Sequence, residues 1–208
     1  MLTQLKVNEF VNLIASDSPA PGGGSVAAIT AAQGIALTKM VALLTIGKKK
    51  YAEHDALMRE ISAKAEELTT ELVEYVNKDT EAYNGVSAVF AMPKATEVEK
   101  AARSAAMQKA LKAAAIVPFK IMECCLEALK ITEKAVGKSN TNAASDLGVA
   151  ALNLGAGVMG AWLNVKINLS SIKDETFVSE YAQKGEAVHK EAYEISAKVY
   201  EAILEAVS

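Results

Sequence analysis

Asp79 is the residue of this 208-residue chain that most contradicts its setting. It falls on the stripe Ile61, Ala65, Leu68, Leu72, Tyr75, Asp79, Tyr83, Val86 and Phe90, whose spacing is that of a helix face turned to a core. An acid on such a face loses hydration, which disfavours its ionised form and raises its pKa. It can then hold or exchange a proton near neutrality, as general acid–base catalysis requires. Tyr83, four residues on, shares the face and can bond the acid or line its pocket. Two structural readings stand beside the catalytic one: the stripe drifts outward in a long helix, or the acid pairs with a lysine from elsewhere.

The turn Pro21–Gly22–Gly23–Gly24–Ser25 is the second candidate. Its glycines let a ligand approach the backbone, and the helix that follows offers free N–H groups to a carboxylate or phosphate. A tight interhelical turn capped by Ser25 explains the same residues. Gly22, Gly24 and Ala27 fit a loose dinucleotide fingerprint, but an amphipathic helix precedes them rather than a strand, and no Gly-Lys-Ser/Thr follows. Lys48, Lys49 and Lys50 close the next helix as a basic cluster, whose simplest reading is a solvated cap on the helix dipole. Asn140, Asn142, Ser145 and Asp146 gather before another helix, more polar groups than one N-cap needs. Asn153 and Asn164 recur down that helix near whole turns from Asp146, and buried amides there need partners, of which a polar heterocycle is one.

Other chemistries lack their residues. His54 and His189 have no acidic or cysteine neighbours at ligand spacing and are expected on solvent-facing helix surfaces; no metal is predicted. Cys124 and Cys125 are adjacent, mid-helix and without a nearby histidine, so they read as core rather than as a zinc, redox or nucleophilic pair.

The elements that must position these groups are helices. Val7, Phe10, Leu13 and Ile14 predict a first one, which stops in the loop Asp17–Gly24. A second runs from Ser25 to Ile46 and ends at Gly47. A third runs from about His54 to Ala91, stopped by Pro93. Thr96 and Glu99 form a capping box for a fourth, which Pro118 kinks or divides before it resumes toward Val136. Gly137 to Asn142 is a turn, a glycine-dotted helix follows from about Ala143 to Val165, and a last amphipathic helix spans Asp174 to Val207. Hardly any segment alternates as a half-buried strand does. Ser18–Thr38 and Leu147–Val165 are uncharged, but their glycines, alanines and polar residues read as buried helices, not membrane spans.

No linker, repeat or low-complexity tract divides the chain, which reads as one all-α domain over residues 1–208, a bundle of long helices. A net charge of −3 provides no overall basic field for nucleic acid. With no secretory signal and no spaced cysteines, a reduced cytoplasmic setting is expected. Apolar residues at 51% leave helix surface enough to favour an oligomer.

Taken in order, these segments resemble the formiminotetrahydrofolate cyclodeaminase and methenyltetrahydrofolate cyclohydrolase family. The resemblance rests on Pro19–Ala28, on Met40-Val41 with Thr45, and on Gly47–Tyr51. It continues through Asp79 with Glu81-Ala82-Tyr83, Met92-Pro93, Val117-Pro118, Asn140–Asp146 and Asn164–Leu169. Ser139 departs from it, standing where the family would carry glycine. The resemblance implies a dimeric helical enzyme acting on a tetrahydrofolate that carries one carbon. It would convert 5-formiminotetrahydrofolate to 5,10-methenyltetrahydrofolate and ammonia; the alternative is hydration of the methenyl compound to 10-formyltetrahydrofolate, and a non-catalytic scaffold is a third reading. No cofactor beyond the folate is implied. Asp79 would carry the proton. Gly22, Gly23, Gly24, Ser25, Lys48, Lys49, Lys50 and Tyr83 would hold substrate, the lysines at its glutamate tail, and Asn140, Asn142, Ser145, Asp146 and Asn164 would line its reacting end. A chain of this length leaves no room for the formiminotransferase fused to mammalian relatives, so such a partner would be a separate protein.

Overall fold

Six α-helices carry the chain: α1 (Val7–Ile14), α2 (Gly23–Thr45), α3 (Asp55–Phe90), α4 (Glu97–Ala135), α5 (Ala144–Leu169) and α6 (Glu175–Ala206). They are seen in a computed structural model that describes residues 1–208. α2 and α5 lie side by side, with α3 flanking α2, α6 flanking α5, and α4 packed across the bundle.

Small residues set this arrangement. Gly34 of α2 meets the Ala150 carbonyl and Gly157 of α5 meets Ala31, so the two backbones approach closer than a pair of larger side chains would allow. The apolar face of α3 (Ile61, Ala65, Leu68, Leu72, Tyr75) and that of α4 (Phe119, Ile121, Met122, Leu129) close the core around them. The core leaves no buried side-chain polar atom unpaired: Thr38 and Thr132, for example, share a 2.8 Å hydrogen bond. Cys124 and Cys125 are buried and free, as expected, and burial pushes the Cys124 thiol up to about 12.

The two apolar helices have the length and hydropathy of membrane spans, with mean hydropathy 1.6 over Gly23–Thr45 and 1.3 over Thr141–Leu169. Each buries its inner face against the other helices. One face of each is open, and that of α5 carries Val149, Leu152, Met159, Leu163 and Ile167 at helical spacing.

Several boundaries differ from the reading of the sequence. Ser25 does not cap α2: Gly22 is the N-cap and Ser25 lies buried in the first turn, its side chain taken by α3. Pro118 does not divide α4, which is helical without interruption from Glu97 to Ala135. α5 continues four residues past Val165 to Leu169, and a short 3₁₀ turn (Lys49–His54) follows α2. The Thr96–Glu99 capping box is formed, and Gly47 takes the left-handed conformation (φ 75°) that ends α2. Ser139 costs nothing in the turn before α5, because Gly137 supplies its positive φ (71°). His189 is half-buried in a groove beside Gly155 and Tyr193 rather than turned to solvent, and His54 is likewise half-buried.

Candidate active site

Where the α3 stripe leaves the core, Asp79 meets the first turn of α2. The Ser25 backbone N–H donates to Asp79 Oδ2 at 2.8 Å, and the Ser25 hydroxyl lies 3.1 Å from the same oxygen and 2.9 Å from the Val76 carbonyl. Thr80 Oγ1 stands 3.2 Å from that hydroxyl. Oδ1 has no hydrogen bond within the chain and lies against Gly24, where a side chain would collide with the carboxylate. The glycines of the turn therefore let the acid lie flush against the helix end, where the Ser25 amide reaches it.

Two effects oppose each other at Asp79. Burial raises its pKa; the hydrogen bonds from the Ser25 hydroxyl and amide lower it, and the net shift is upward. The acid thus holds its proton to higher pH than an exposed carboxyl, as a proton carrier must. The unfolded chain releases that proton near the usual value of 3.8, whereas the native chain releases it later, so stability falls as pH rises between the two. Asp79→Asn lacks this dependence. Urea unfolding should show it gaining on the native chain as pH rises from 4 to 8; a gap constant over that range would mean burial of the acid carries no cost.

Asp79 opens onto a cavity of about 330 Å³ between α2, α3, α4 and α5. Of the residues expected to hold substrate, Gly22, Gly23, Tyr83 and Asn164 line it, while Gly24 and Ser25 lie behind them against Asp79. Thr80, Val86, Ala114 and Asn168 also line it and were not foreseen. The signal for Asn168 lay in Pro118. A proline inside a helix has no N–H for the carbonyl four residues back, here Ala114. Asn168 Nδ2 donates to that carbonyl at 3.0 Å and to Asn164 O at 2.8 Å. Asn164 Nδ2 in turn donates to Gly160 O at 2.9 Å. Both amide nitrogens are thereby fixed, and neither Oδ1 has a partner in the chain.

The rest of the expected set lies elsewhere. Lys48, Lys49 and Lys50 sit beyond the other end of α2, roughly 33 Å from Gly23 by helix rise. Asn140, Asn142, Ser145 and Asp146 precede or open α5 at that same end. There Asn140 N donates to Thr45 Oγ1 at 2.9 Å, Asn140 Nδ2 donates to Leu44 O at 3.2 Å, and the Thr141 amide donates to Tyr51 Oη at 3.0 Å. The Thr141 hydroxyl, 3.1 Å from Tyr51 Oη, together with the Thr141 amide and Lys50, holds the Tyr51 phenol down to about 8, the hydroxyl contributing most. One chain therefore carries two polar ends and brings only the first set to Asp79.

The chain is similar to known proteins over nearly its whole length. Residues 6–187 match the model of the formiminotransferase-cyclodeaminase family. A methenyltetrahydrofolate cyclohydrolase of Methylorubrum extorquens is 40% identical over 95% of each chain. The formimidoyltransferase-cyclodeaminase of Sus scrofa is 36% identical over 88% of this chain, which spans 34% of that longer protein. The crystal structure of a formiminotetrahydrofolate cyclodeaminase of Thermotoga maritima superposes with a TM-score of 0.89 at 31% identity, covering all of both chains.

Proposed function

The chain belongs to the formiminotransferase-cyclodeaminase family, whose members are folate enzymes, and from that premise we propose that Asp79 moves the protons of a one-carbon transfer between N5 and N10 of tetrahydrofolate. The observation that carries this reading is the carboxyl of Asp79: anchored through Oδ2, free at Oδ1, and raised in pKa at the wall of a cavity.

Two reactions use that machinery. In hydration, water adds to the methenyl carbon of 5,10-methenyltetrahydrofolate. Asp79 takes one proton from the water and returns it to N5 as the C–N5 bond breaks; the other leaves to solvent as the C–OH becomes the formyl C=O, so the methenyl cation gives neutral 10-formyltetrahydrofolate and H⁺. In cyclodeamination, N10 attacks the formimino carbon on N5. The formimino nitrogen enters protonated, as =NH2⁺. Asp79 takes the N10 proton and delivers it to that nitrogen, by then an NH2 group, which leaves as NH3 as its C–N bond breaks, the positive charge staying on the methenyl bridge. In each case one carboxyl accepts and then donates, which favours a pKa between those of a free carboxylate and an amine. The sequence resemblance put deamination first. The 40% identity to a cyclohydrolase, at matched length, moves hydration ahead; the Thermotoga maritima structure supports deamination as the second reading. Measuring kcat/KM for 10-formyl formation from the methenyl folate, and for ammonia release from the formimino folate, ranks the two. A higher value for ammonia release would reverse the order.

We infer the same roles for the cavity walls: Tyr83 and the unpartnered Oδ1 atoms of Asn164 and Asn168 suit the N–H groups and ring face of a pterin. The second polar end enters through a homodimer. The open α5 stripe from Val149 to Ile167 has its midpoint near Met159. A twofold axis there would cover the stripe and run the two α5 helices antiparallel, bringing the partner's Asn140–Asp146 and Lys48–Lys50 end toward the C-terminal end of this chain's α5, the end that carries Asn164 and Asn168. Mixing two impaired variants, Asp79→Asn and the triple Lys48, Lys49 and Lys50→Ala, tests the idea. Hybrids would hold one intact site of two, so an equal mixture after subunit exchange should recover about a quarter of the native rate at low substrate. Recovery no greater than the mean of the separate variants would place the lysines outside the partner's site. A cytoplasmic location completes the proposal; under the deamination reading a formiminotransferase would supply the substrate.

A further inference from the structure

A second cavity, of about 350 Å³, opens along the same helices as the first. On α3 the Asp79 cavity ends at Val86 and the second begins at Phe90, one turn on; on α4 the lining passes from Ala114 to Gln108. From Asp79 to Phe90 the rise along α3 is about 16 Å. The second cavity is walled by Lys94, Lys100, Arg103 and Lys173, with no acid among its lining residues. Lys100 is engaged by Glu97, whereas Lys94, Arg103 and Lys173 form no salt bridge.

Two of these cations are held in place by backbone contacts. Arg103 Nε donates to the Val89 carbonyl at 3.1 Å, and its guanidinium lies 6.0 Å from the Phe90 ring centroid, which ties α4 to the end of α3. Gln108 spans from α4 to the α5–α6 connection: its Nε2 donates to Ser171 O at 3.1 Å, and its Oε1 accepts from Lys173 N at 2.7 Å. Side chains spent on holding a positive cavity open, with no anion of the chain to fill it, mark a place for an anion from outside.

We propose that this cavity is the tail subsite of the site at Asp79: it binds the carboxylates of the γ-linked glutamates of a folate whose one-carbon end lies against Asp79. The proposal rests on the folate reading above. A folate is an extended molecule with a heterocycle that carries no anionic group at one end and carboxylates at the other. Its p-aminobenzoyl bridge separates them on the scale of the span from Asp79 to Phe90. Each further glutamate adds one carboxylate, and flexible, solvent-facing lysines accommodate tails of different length. The tail partners within one chain are thus Lys94, Arg103 and Lys173, a different set from Lys48–Lys50 at the far end of α2.

The test compares monoglutamyl and triglutamyl 5,10-methenyltetrahydrofolate on the native chain and on the double variant Lys94→Ala/Lys173→Ala, with Lys190→Ala/Lys198→Ala as a charge-matched control on α6. The native chain and the control should prefer the triglutamate through a lower KM. The double variant should lose about tenfold of that preference at low salt, with kcat unchanged, and added salt should erode the native preference as it screens the pairs. An unchanged triglutamate-to-monoglutamate ratio in the double variant overturns the subsite while leaving the folate reading intact. Failure of the native chain to turn over methenyl- or formimino-folate of either length overturns the folate reading itself.

Discussion

Asp79→Asn is expected to lower kcat by about 10²–10⁴-fold, the usual contribution of a positioned acid–base group, with the Kd for folate little changed. Asparagine has the shape of the acid, and its Oδ1 can still accept from the Ser25 amide and hydroxyl that hold Asp79 Oδ2. The amide cannot exchange a proton. The lesion therefore falls on the chemistry and spares the architecture, as steady-state kinetics beside equilibrium binding will show. A variant that turns over normally would remove Asp79 from the mechanism; one that no longer binds would make it a binding group. The non-catalytic scaffold reading predicts no turnover to lose.

Gly24→Ala should be nearly as damaging, for a reason of space. A methyl group there would occupy the position of the Asp79 carboxylate, so either the acid swings away from the Ser25 amide or the first turn of α2 shifts. Displacement by about 1 Å of a group that must meet its substrate in line can cost on the order of 10²-fold. The loss should appear in kcat with the helical circular dichroism intact. Gly85→Ala is the control: it lies on α3 less than two turns beyond Asp79, with open space where a side chain would go. It should keep full activity and add about 0.5–1 kcal/mol of stability, the ordinary gain of alanine over glycine inside a helix. Equal activity in the two variants would mean the close approach of Gly24 to Asp79 is not needed.

The residues that disclosed themselves in the sequence did so through local contradictions. Asp79 interrupts an apolar stripe, and the glycine run precedes a helix; both lie on the cavity wall, because each feature concerns one element and its own face. What stayed hidden depends on pairs of elements. Ser25 read as an ordinary cap because nothing local says that a side chain of α3 takes its amide. Asn168 was legible only through a carbonyl that Pro118 leaves open, 54 residues away. The sequence also placed all the polar clusters at one site, since spacing along a chain does not reveal that α2 holds two of them at opposite ends. The tail subsite escaped notice because Lys94 comes from the α3–α4 connection, Arg103 from the second turn of α4 and Lys173 from the α5–α6 connection, and each alone looks like ordinary surface charge.

The central claim is that this chain does its chemistry on a one-carbon folate at Asp79. The most direct measurement follows the near-ultraviolet absorbance of the methenyl group while native chain or Asp79→Asn is added to 5,10-methenyltetrahydrofolate, and again with 5-formiminotetrahydrofolate. The account predicts a change in absorbance well above the uncatalysed rate with at least the methenyl compound, and none above background with Asp79→Asn. Indifference of the native chain to both folates, or equal rates for the two proteins, would contradict it.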